Sequence, residues 1–109
     1  MTTQMMSLAA LVAAREAGKA KPEHMVALAR DAVARRDAEI KAFCHVADDP
    51  DIASDGPLAG VAIGVKDIFD TFDMPTTYGS EIYAGHRAVT DAAVVALARR
   101  RGATVLGKT

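Results

Sequence analysis

The residues with the most chemical promise lie in the stretch Gly56-Pro57-Leu58-Ala59-Gly60-Val61-Ala62-Ile63-Gly64-Val65-Lys66-Asp67. Its apolar run has the length of a strand, and side chains alternate faces along a strand. Val61, Ile63 and Val65 then share one face, while Ala62, Gly64 and Lys66 share the other. Lys66 therefore stands beside two very small residues, where a backbone or a substrate can come close. A lysine withdrawn from water at a strand end is easier to deprotonate, and its neutral amine can then serve as a base. The plainer alternative is a lysine that reaches solvent from the strand end, with Asp67 as a neighbour. On residue types alone the plainer reading carries more weight.

Other candidate chemistry is weaker. Gly102-Ala103-Thr104-Val105-Leu106-Gly107-Lys108-Thr109 matches the phosphate-loop string GxxxxGK[ST]. That loop works when a strand precedes the first glycine and a helix follows the lysine, so that amides at the helix start face the phosphate. Here a helical pattern precedes Gly102 and the middle residues read as strand, so a nucleotide site is not expected. The Asp-rich segment starting at Asp51 places Ala53 and Ala62 where a calcium loop needs oxygen ligands. His24, His45 and His86 never fall at helical pair spacing, so no metal site can be argued. Cys44 is the only cysteine, which excludes an internal disulfide; it reads as a small buried hydrophobe. No cofactor is expected.

These residues need elements to position them. Two helices are expected within residues 4–41: Ser7 caps the first and Gly18 stops it, and Pro22 opens the second with Glu23 near its positive end. A strand is expected at 42–46, the Lys66 strand at 61–66, and a long loop at 67–89. Thr90 and Asp91 begin a helix at 90–101 that ends on three arginines and Gly102, and a buried strand at 103–106 follows. Strands alternating with helices argue for the α/β class.

The 109 residues are half apolar and a quarter charged, with a net charge of −1. This balance argues against a basic nucleic-acid-binding domain and a polybasic membrane anchor. No apolar run approaches the roughly 20 residues of a membrane span, and the opening MTTQMMSLAA lacks the regions of a signal peptide. A reduced, cytoplasmic, soluble protein is the expectation. Aromatic residues make up only 5% of the chain, so an independent core would be thin, and the chain reads as part of a larger domain.

Residues 56–109 resemble the amidase signature family. The run carries a GPLAGVAIGVKD strand, a TFDMPTTYGS loop, a DAAVVALARRRGA helix and a strand ending LGKT, in the family's order and spacing. Ala62 stands where the family usually has proline, and Asp73 where it usually has glycine before Met-Pro. The resemblance implies the N-terminal part of a single large α/β domain, with helices packed around a mixed sheet. It also implies hydrolysis of a carboxamide C–N bond by a Ser-cisSer-Lys triad. Lys66 matches the family's base, which reverses the weighting reached above. Thr76, Thr77, Gly79 and Ser80 match a loop near the family's substrate. Ser7, Ser54 and Ser80 are the only serines, and none lies in the Gly/Ser-rich stretch that carries the family's other two triad members. That stretch is expected beyond residue 109, so these residues alone should be inactive. The alternatives are a glutaminase of the amidotransferase A-subunit type and a truncated, inactive amidase fragment. The partner expected is a small-molecule amide, with nucleic acid only in the amidotransferase case and no membrane; homo-oligomerisation is left open.

Overall fold

The computed structural model describes residues 6–109. Three helices and a three-stranded mixed sheet form an α/β arrangement. Helix α1 spans Leu8–Glu16, and the Ser7 hydroxyl accepts a bond from the Ala10 amide at its start. Helix α2 spans Pro22–Ile40, with proline in its first turn and Lys41 in the left-handed region at its end (φ 58°). The expected helix start at residue 4 and much of the opening segment lie outside the described residues.

Strand β1 is His45–Val46, β2 is Ala62–Val65 and β3 is Thr104–Lys108. Helix α3 spans Ala93–Arg100 and crosses between β2 and β3, as a parallel pair requires. The sheet order is β1-β3-β2, with β1 antiparallel and β2 parallel to β3. Flanked on both sides, β3 is buried along its whole length. Ile63 faces Val105 but Gly64 faces Gly107, so Leu106 is an extra residue that bulges β3.

Val65, Met74, Val95 and Val105 form the core cluster, with Ala47, Ile63 and Ala92 packed around it. Met25 and Val26 bury the inner face of α2. Arg15 of α1 donates to the carbonyls of Ala59 (2.6 Å) and Pro57 (3.2 Å), tying α1 to the approach to β2. Two glycines permit close approaches. Gly102 stops α3 at φ 103°, and a Cβ there would meet the Asp55 carbonyl oxygen at 2.7 Å. At Gly107 a Cβ would collide with the His45 carbonyl oxygen of β1. No helix among the described residues is long and apolar enough to cross a membrane.

Several expected boundaries shift. The strand expected at 42–46 is confined to 45–46, and that expected at 61–66 to 62–65. The loop at 67–89 contains a short 3₁₀ turn, Glu81–Tyr83. Thr90 does not cap α3. The N-cap is Ala92, without a side-chain cap, because the Asp91 carboxylate is engaged elsewhere. It accepts from the Phe72 amide (3.0 Å) and pairs with Arg99 (3.0 Å). Asp73 does not adopt a positive φ; its carboxylate accepts from Arg99 at 2.8 Å. Cys44 is exposed, not buried. Partial burial of its thiol, together with the nearby Asp67 carboxylate, still pushes that thiol above its ordinary value.

Candidate functional site

Lys66 follows β2 directly, at the C-terminal ends of the parallel strands. The Thr109 amide donates to the Val65 carbonyl (2.9 Å), and the Asp67 amide donates to the Thr109 carbonyl (2.8 Å). The backbone on both sides of Lys66 is thus tied to the end of β3. The Lys66 carbonyl accepts from the Phe69 amide (3.0 Å) and turns the chain away from the sheet. Its side chain is exposed, as is Gly64, while Val65 between them is buried. The described residues therefore leave Lys66 in contact with solvent. Lys66 borders an open apolar groove of about 330 Å³, formed with Val65, Phe69, Val94 and Ala98.

A different lysine is desolvated. Lys108 is 0% exposed. Its Nζ donates to the hydroxyls of Thr76 (2.8 Å) and Thr71 (3.2 Å) and to the Pro75 carbonyl (3.4 Å). It also pairs with the Asp67 carboxylate at 3.1 Å. Asp67, 6% exposed, accepts in turn from the Thr77 amide (3.1 and 3.2 Å) and the Thr77 hydroxyl. Burial alone would raise this carboxyl, but the bonds from Thr77 and Lys108 more than offset it and hold it below its usual range. The Tyr78 amide donates to the Asp67 carbonyl (2.9 Å), so the loop folds back onto the residue after Lys66.

The loop residues singled out from sequence fall in distinct places. Thr76 is fully buried against Lys108, and Thr77 grips Asp67. Gly79 takes a left-handed turn (φ 73°), and the Ser80 hydroxyl accepts from the Ile82 amide (3.3 Å) to cap the 3₁₀ turn. Tyr78, Tyr83 and His86 cluster beside this turn. The phosphate-loop string folds as the buried strand β3, with Lys108 pointing into the interior. Sequence reasoning missed Lys108 and Asp67 as an interior pair. The strand expected at 103–106 stops short of Lys108, whereas β3 runs through it and buries its side chain.

Over residues 9–109 the chain matches the family model described as Amidase. The glutamyl-tRNA(Gln) amidotransferase A-subunit of Mycolicibacterium vanbaalenii is 39% identical over 121 aligned positions, which take in 94% of this chain and 24% of that protein. The chloroplastic/mitochondrial glutamyl-tRNA(Gln) amidotransferase A-subunit of Zea mays is 44% identical over 90 positions, 69% of this chain and 17% of that one. The solved glutamyl-tRNA(Gln) amidotransferase A-subunit of Thermotoga maritima superposes with a TM-score of 0.75 at 30% identity, covering 86% of this chain and 22% of its own. A chain from an inhibitor-bound complex, solved in work on the origins of an s-triazine catabolic enzyme, shares the fold at a TM-score of 0.84. It is 23% identical and covers 94% of this chain and 26% of its own. The chain thus spans about a quarter of the length of the relatives it matches.

Proposed function

Because this chain belongs to the amidase family, we propose that it supplies the base of an enzyme that cleaves amide C–N bonds. In this reading Lys66 takes a proton from a serine nucleophile through a second serine. The serine oxygen attacks the amide carbonyl, the C–N bond breaks, and the proton passes on to the leaving nitrogen. Water then releases the acid from the acylated serine. Both serines come from sequence outside these 109 residues. Ser7 and Ser80 are engaged in capping bonds. Thr76 and Thr77 support the site from beneath, through Lys108 and Asp67.

What supports this reading is the family match over residues 9–109, together with the KD strand motif that ends on Lys66, an exposed amine beside an apolar groove on a backbone held at both neighbours. The names of the relatives favour a second reading, in which the chain belongs to an amidotransferase. There, the nitrogen released from an amide is passed to an acceptor with the help of partner proteins.

Both readings predict amide cleavage, and one exchange experiment tests it. The chain replaces the matching segment of the Thermotoga maritima relative, and ammonia release from glutamine and from simple carboxamides is measured. Lys66→Ala should lower release by about 10²–10⁴-fold. Unchanged turnover in that variant would remove Lys66 from the mechanism.

A further inference from the structure

We propose that Lys108 is a positioning residue for Lys66, acting from the interior through Asp67 and the 71–77 loop. The inference rests on Lys66 being the base. Among the described residues the Lys66 side chain makes no hydrogen bond or ion pair, so what the fold holds in place is the backbone from which it reaches. That backbone is fixed one residue later, at Asp67. The Asp67 amide and carbonyl are bonded to Thr109 and Tyr78, and its carboxylate is held by Lys108 and Thr77.

Lys108 reaches further than its acidic partner. Its remaining bonds go to Thr71, Pro75 and Thr76, which begin and end the tight segment 71–76. Thr76 in turn accepts from the Thr71 amide (3.3 Å), and the Thr71 hydroxyl donates to the Met74 carbonyl (3.4 Å). The ammonium is thus the shared centre of a loop that would otherwise have to satisfy these oxygens in a dry interior. Register supports the link, since Lys108 lies opposite Val65, the residue just before Lys66. One interior side chain therefore braces the Lys66 peptide from the strand side and from the loop side.

A lysine that merely neutralised Asp67 would be dispensable once Asp67 was made neutral. A positioning lysine would not. The test is carried out on the exchange protein described above, with Lys108→Met and with the double variant Asp67→Asn/Lys108→Met, by amide hydrogen exchange. In the unsubstituted protein the amides of Lys66 and Asp67 should exchange slowly, and in both variants at least about ten-fold faster. The amides of β3 should stay protected in the double variant, which carries no buried charge and keeps the test open if the single variant unfolds. Retained protection at Lys66 and Asp67 in the double variant would overturn the proposal. Uniform loss across β2 and β3 would do the same, because it would show a general structural role. These readouts do not depend on turnover. Failure of the base assignment would show instead as unaffected amide cleavage in Lys66→Ala.

Discussion

Replacing Lys108 by methionine isolates the energetic role of the interior ion pair. The two side chains are similar in length and flexibility, so the cavity left is small and the main change is loss of the ammonium. In the native chain Lys108 is wholly buried, and the Asp67 side chain is only 8% exposed at the other end of a 3.1 Å contact. After the substitution the carboxylate keeps the Thr77 amide and hydroxyl but loses its counter-charge, and the Pro75 carbonyl loses a donor. Breaking a buried pair on one side costs about 3–5 kcal/mol. At about 4–8 °C per kcal/mol for a domain of this size, the melting temperature should fall by roughly 12–40 °C. Asp67→Asn should cost a similar amount, because it leaves the ammonium among neutral oxygens. The double variant should recover only part of the loss, giving a coupling of at least ~2 kcal/mol while the oxygens of Thr71, Pro75 and Thr76 stay without their donor. Urea denaturation followed by circular dichroism, at low micromolar concentration, measures all four corners of this cycle. A loss below about 1 kcal/mol in Lys108→Met, or additive single losses, would refute the reasoning that the pair is a desolvated unit.

Three further outcomes follow from the same geometry. The Asp67 carboxyl titrates below its unfolded value of about 3.9, so its contribution is complete above that pH and is lost as pH falls through the folded value. Acid titration of stability should therefore be steeper below about pH 4 in the native chain than in Asp67→Asn/Lys108→Met; equal slopes would count against the pair. Gly102→Ala should destabilise by on the order of 2 kcal/mol, read by the same urea titration, because alanine resists φ 103° and its Cβ would press on the Asp55 carbonyl. Strands β1 and β2 are sheet edges, and Ile82 (88%) and Val89 (94%) are exposed apolar residues. Sedimentation should therefore show concentration-dependent self-association of the isolated chain; a monomer at all concentrations would contradict it.

Much of the frame was legible in local sequence. The Ser7 cap, the proline start of α2 and the glycine stops at Gly18 and Gly102 depend on residues within a turn of one another, so short-range chemistry specifies them. The alternation around Val65 also placed Lys66 at a strand end on the same face as Gly64. Local rules failed where a side chain had a distant competitor. Asp91 bonds to Phe72 and Arg99 in preference to starting α3, so the helix begins later than its capping signal. Arg99 complements the end of its own helix in sequence, yet in space it reaches Asp73 and stacks over Phe72, 5.3 Å from the ring centroid.

The order of the elements, the strand that presents Lys66 and, through its motifs, the family were all readable from residue order. Which lysine is exposed and which is buried depended on the folded chain. Lys66 and Lys108 both lie at the ends of apolar strands, and nothing within a few residues distinguishes them. The difference arises because β3 is the central strand and the 71–77 loop folds over its end, supplying oxygens from residues more than 30 positions away. Burial of a charge is tolerable only where such partners converge, and only long-range packing brings them together.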